Sequence, residues 1–206
     1  VRLAALTVET DPKAAWQYLT QANAKDPENP DIRSYRARLL EAVGKLPLAL
    51  NEYLGAVETA PTNLYMRDQL GEFYRRNGQF DYALKTWQDS MSLATADIIW
   101  LKIWFWSHMY NPGAIKWTDL PPPNGRLKPF LRYLYSLRDN QYWDEQEFDK
   151  LANSQSYLDT QQVTFWLRLI NAFQRKDENT AWELLQYNPF EENSWNRDLE
   201  VLLRQI

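Results

Sequence analysis

His108 is the only histidine in the chain and there is no cysteine. A histidine relay, a multi-histidine metal site, a thiolate zinc site and a cysteine nucleophile are therefore all excluded within it. Carboxylate, lysine or tyrosine chemistry remains. The densest carboxylates are Asp144, Glu145, Glu147 and Asp149, which as paired acids would suit acid–base work, or as oxygen ligands a hard cation. The same residues open an expected helix, where negative charge complements the dipole with no catalytic role. His108 lies in an apolar run and there reads as an ordinary packed or half-exposed imidazole. The six glycines form no phosphate cradle, Walker motif or dinucleotide fingerprint, so nucleotide cofactors have no visible seat. No cofactor, no metal and no enzymatic activity are expected.

Ten tryptophans and an aromatic content of 15% allow two uses: rings that stack on sugar faces, or rings that fill the seams of a helical array. Helical spacing of the rings fits packing better. Net charge is -4 with Lys and Arg spread along the chain, which argues against a nucleic-acid surface, because that needs clustered positive charge. The absence of cysteine assigns no compartment. No signal peptide is visible, and a chain that opens at Val1 partway through a helix reads as a fragment of something longer. Both cytoplasm and periplasm would suit it. Oligomeric state stays open.

The elements that must position these groups show themselves through spacing. Ala15, Ala49 and Ala83 stand 34 residues apart, and so do Ala22, Ala56 and Ser90, Pro27 and Pro61, Gly44 and Gly78, and Tyr53 and Trp87. A period in this range signals stacked helical hairpins, each too small to bury its own apolar face. Ala83 and Trp87 lie four apart on one helix face, so a small residue admits the paired helix while the ring fills the gap. Gly78 follows Asn77 where a first helix must stop, a position that commonly takes a left-handed backbone. Pro61 closes a second helix. The pattern predicts helices over about 31–43, 47–59, 64–76 and 80–93, preceded by one that Asp11-Pro12 starts and by the end of another near Val8.

These residues resemble the tetratricopeptide repeat. Leu70, Gly71, Tyr74, Gly78, Phe80, Ala83, Trp87 and Ser90 fall on its expected steps, with Arg67 and Thr95 departing from the leading aromatic and closing Pro. Ala37, Leu40, Gly44, Ala49, Tyr53, Ala56 and Pro61 fit in the preceding unit, where Arg33 and Arg36 occupy steps that are normally apolar. The resemblance covers residues 11–97 and implies an all-α fold, a right-handed superhelical stack of antiparallel helix pairs. It also implies a concave groove lined by first helices that holds a segment of a protein partner. Positions two, five, nine and twelve of each unit would face it: Asp31, Ser34, Arg38 and Glu41, then Tyr65, Asp68, Glu72 and Arg75, and by continuation Ile99, Lys102, Trp106 and Met109. Arg38, Tyr65, Asp68, Glu72, Arg75, Lys102 and Trp106 are the candidate partner-binding residues. Chaperone-type capture of a carboxylate terminus is not implied, because Ser34 and Arg38, Gln69, and Ile99 and Ile103 stand at the steps that need Lys, Asn and Arg.

The expected organisation is a regular array over 1–97, its first unit truncated, and a degenerate helical extension over 98–206 packed on it. Residues 98–110 are apolar nearly all round, which calls for a covered helix. At that length the run is too short for a bilayer, which needs about 20 apolar residues. Pro112, Gly113, Pro121 to Pro123 and Gly125 interrupt helix over 111–125, a loop that could be a binding element, a spacer or a strap pinned by Ile115, Trp117 and Leu120. Helical signals resume at about 127–139, 144–153, 160–174, 178–187 and 194–205. Two functions from different classes follow: a non-catalytic scaffold binding a protein segment, or a helical module of an enzyme or carbohydrate-processing assembly whose aromatic residues help bind glycan.

Overall fold

A computed structural model describes residue 7 and residues 10–93, 97–110, 125–139, 141–154 and 158–186. Proline and asparagine punctuate the first part into α1 (Pro12–Lys25), α2 (Pro30–Ala42), α3 (Leu46–Thr59), α4 (Leu64–Arg76) and α5 (Phe80–Met91). Asn29 and Asn63 hold equivalent N-caps: each side-chain oxygen accepts from the backbone N–H two residues on, Asp31 at 3.1 Å and Tyr65 at 3.0 Å. Asp11 caps α1 through the N–H of Ala14 at 2.9 Å. Such caps satisfy donors that a helix start otherwise leaves open, about 1 kcal/mol each.

The hairpin turns repeat as well. After α2 the N–H of Gly44 donates to the Glu41 carbonyl at 2.9 Å and that of Lys45 to Leu40 at 2.8 Å; after α4, Gly78 donates to Arg75 at 3.0 Å and Gln79 to Tyr74 at 2.8 Å. Gly44 and Gly78 have φ of 74° and 71°, the left-handed region that a Cβ resists. This is the Schellman closure, and glycine at its left-handed position explains the Gly44–Gly78 spacing.

Two compact units form, Val1–Ala94 and Thr95–Ile206. In the first, each helix packs on its chain neighbour, and α2 also touches α4 across the intervening helix. Ala49, Tyr53 and Ala56, with Ala83, Trp87 and Ser90 one period on, are all buried. Leu40, Tyr53, Leu70 and Phe73 share one core cluster, with the Tyr53 and Phe73 rings 5.2 Å apart.

The second unit contains α6 (Asp97–Tyr110), a 3-10 turn (Gly125–Phe130), α7 (Leu131–Arg138), α8 (Glu145–Ser154), α9 (Leu158–Arg175) and α10 (Glu178–Gln186). α9 is its hub and packs against α6, α7, α8 and α10. Trp100, Trp106, Phe130, Phe148 and Trp166 are buried. Phe148 stacks on Trp143 at 5.1 Å and meets the edge of Tyr133 at 4.8 Å, so these rings act as packing.

A continuous helix from about 127 is replaced by a 3-10 turn followed by α7. Pro129 lies inside that turn, and a residue without an N–H breaks the α-helical ladder while tolerating the tighter form. The helix expected to 93 ends at Met91. Among the described residues every regular element is helical. The helix end near Val8, the loop from 111 to 124 and the helix expected over 194–205 lie outside the described residues.

Candidate functional site

Tyr65, Asp68, Glu72 and Arg75 follow one another by three, four and three residues, the spacing that keeps side chains on one face of α4. That face grades from wet to dry. Tyr65 is 49% exposed, Asp68 is half-buried, and Glu72 and Arg75 are only 2% and 1% exposed. Asp68 accepts a hydrogen bond from the Trp87 indole at 3.0 Å, and Arg75 Nε donates to Glu72 at 2.8 Å. Two opposite charges so deeply buried rely on each other, since removing one partner of such a pair costs about 3–5 kcal/mol. Arg38, on α2, is half-buried.

A larger network ties three helices together. Arg76 of α4 grips Glu41 of α2 with two hydrogen bonds, at 2.7 and 2.9 Å, and approaches Glu72 at 4.0 Å. The hydroxyl of Tyr53, on α3, donates to the same Glu41 at 3.1 Å. Burial pushes the Tyr53 phenol well above its ordinary range and the Glu41 carboxylate pushes it further, while Arg76 and Arg38 oppose the rise. Burial works against the Arg76 charge, yet Glu41 outweighs it and holds the guanidinium more firmly protonated than usual. The arrangement clamps α2, α3 and α4.

Arg33 and Arg36, at positions expected to be apolar, have an acid partner on the facing helix. Glu52 of α3 is 2.9 Å from Arg36 and 3.8 Å from Arg33, and the Arg36 guanidinium also lies 5.4 Å from the Trp16 ring centre on α1. Two arginines on a nominally apolar face were the sequence signal for this pairing. Nothing local pointed to Glu52, which is sixteen residues from Arg36 in the chain.

In the second unit Lys102 and Trp106 lie on α6, with exposures of 8% and 0%. Trp106 thus presents no surface to a partner in this structure. His108 belongs to the same helix, and its side chain is outside the described set. Among the described residues no helix is long and apolar enough to cross a membrane.

The acidic run is dispersed among separate tasks. Asp144 caps α8 through the N–H groups of Gln146 and Glu147 at 2.8 and 3.2 Å. Glu145 accepts from the Trp143 indole at 2.7 Å and from Asn171 at 3.4 Å. Glu147 pairs with Arg132 at 3.0 Å, and Asp149 pairs with Arg168. Among the described residues no three metal-ligating side chains come together.

No family model matches the chain, and no curated protein matches its sequence. Of the candidates in the first unit, Tyr65 on α4 is exposed and Arg38 on α2 is half-buried. Asp68 is already engaged by Trp87, and Glu72 and Arg75 are enclosed.

Proposed function

We propose that this chain is a non-catalytic protein-interaction scaffold built of tetratricopeptide-like helical hairpins, which holds a segment of a protein partner against α2 and α4. One observation carries the proposal: the 34-residue spacing recurs as equivalent geometry. Capping asparagines, left-handed glycines and buried small-and-large pairs fall one period apart, and α2 touches α4 past the helix between them. Direct contact between alternate helices is what stacked hairpins require. Exposed Tyr65 supplies an amphipathic anchor and Arg38 a charge, a pairing enriched where binding energy concentrates. The superhelical sweep and the groove itself belong to this proposal.

The test replaces accessible groups. Reversing Asp68 or Arg75 would disturb the Trp87 hydrogen bond or strand Glu72, so a loss of binding there would not report on a surface. Tyr65→Ala with Arg38→Glu is the cleaner pair. The intact chain immobilised against lysate is expected to enrich a protein that the double variant loses by tenfold or more, with unchanged circular dichroism. Retention on polysaccharide with no protein captured, or equal capture by the variant, would overturn the proposal.

A further inference from the structure

We propose that the cavity between the start of α1 and the end of α2 is a docking site for an acidic peptide segment that inserts one bulky apolar side chain. The cavity encloses about 340 Å³ and is lined by Trp16, Leu39, Leu40 and Val43, with Lys13 and Lys45 also on its wall. Leu39 and Leu40 are buried and form the floor, whereas Val43 and Trp16 are 60% and 39% exposed and form the lip. That volume lies at the small end of ligand pockets, roughly 300–1,000 Å³, and suits a single anchoring side chain.

Charge identifies the occupant. Lys13 and Lys45 are both exposed, and neither ammonium has an ion-pair partner among the described residues. Asp11, a nearby carboxylate in sequence, is engaged with the N–H of Ala14. On a chain whose net charge is -4, two exposed lysines with no ion-pair partner among the described residues, set beside an apolar hole, favour an anionic visitor. The lysines stand on different elements, one in the first turn of α1 and the other after α2. A peptide carrying acids on both sides of its apolar anchor satisfies both; a lone small anion satisfies one and leaves the walls wet. This site shares no residue with the Arg38 and Tyr65 surface, so each proposal can fail without the other.

The probe is the labelled peptide Glu-Glu-Phe-Glu-Glu, titrated with the intact chain by fluorescence anisotropy at low and at physiological salt. Binding is expected to be at least tenfold tighter than for Glu-Glu-Ala-Glu-Glu, and to weaken as salt screens the lysines. Lys13→Glu with Lys45→Glu should lower affinity at least tenfold, and so should Val43→Asp. All three positions are exposed, so circular dichroism should be unchanged. No binding of the Phe peptide, equal binding of the Ala peptide, or indifference to both variants would each overturn the proposal. So would octanoate binding more tightly than the peptide, which would make this a small-anion site. A self-association lost with Val43→Asp would also overturn it, by assigning the cavity to a second copy.

Discussion

The indole of Trp87 lies against the backbone of α4 at Gly71, so close that a Cβ on Gly71 would stand 2.7 Å from Trp87 Cε2 and 2.8 Å from Cδ1. Its Nε1 is bonded to Asp68 on the same helix, so the ring cannot retreat without breaking a hydrogen bond. Alanine at Gly71 would raise helix propensity by about 1 kcal/mol, against overpacking that costs about 1–3 kcal/mol and a strained hydrogen bond. Clash should win. Gly71→Ala is expected to destabilise the first unit by about 1–2 kcal/mol in urea titration. The loss should shrink in a Trp87→Phe background, where the contacting five-membered ring is gone. A neutral Gly71→Ala in the otherwise unchanged chain would contradict this packing.

Tyr53 is expected to couple the same unit to alkaline pH. Its phenol is raised in the folded state by burial and by Glu41, whereas an unfolded tyrosine ionises near pH 10. The neutral phenol therefore contributes its full stability below about pH 10, and that contribution is lost as pH climbs from there toward the folded value. Tyr53→Phe should cost about 1–2 kcal/mol at neutral pH, by removing the bond to a charged acceptor. The gap between the two proteins should narrow above pH 10. Parallel alkaline limbs would show that Tyr53 ionises no later in the fold than out of it.

Asp177 is expected to give the second unit an acid limb. The Thr180 hydroxyl donates to its carboxylate at 2.7 Å and the Thr180 N–H at 3.1 Å, and these bonds, the hydroxyl first, hold its pKa below the ordinary range. A depressed carboxyl stabilises above the unfolded value of about 3.9 and loses that contribution as pH falls through the folded one. Asp177→Asn retains a capping oxygen but cannot titrate. It should flatten the unfolding midpoint below about pH 4, and Thr180→Val should move the parent's acid limb the same way. An acid limb unchanged by either substitution would remove this coupling.

What the sequence made legible was local or periodic. Gly78 could be assigned a left-handed turn because Asn77 ended a helix before it, and Ala83 and Trp87 could be assigned to one buried face because four residues return a helix to the same side. Arg33 and Arg36 looked out of place because their compensating acid, Glu52, belongs to α3 and only folding brings it near. Glu72 and Arg75 matched an outward register, yet burial depends on what covers a face and no period records that. The acidic run from Asp144 was legible as a helix start through Asp144 itself. The partners of Glu147 and Asp149, Arg132 and Arg168, come from α7 and α9.

The turn between α9 and α10 repeats the closure seen after Gly44 and Gly78, but with a lysine at its strained position. Lys176 donates to the Phe173 carbonyl at 3.1 Å and Asp177 to Ala172 at 2.9 Å, with φ of 56° at Lys176. A residue with a Cβ there costs about 1–2 kcal/mol relative to its relaxed state, and glycine would relieve this while adding freedom to the unfolded chain. Relief should exceed the added freedom, so Lys176→Gly is expected to raise the stability of the second unit by about 0.5–1 kcal/mol. Gly78→Lys should lower that of the first unit by a similar amount. Opposite signs at two positions that share one backbone geometry would separate left-handed strain from side-chain contact. If Lys176→Gly instead destabilised the protein, the lysine side chain would have to contribute more than its backbone strain costs.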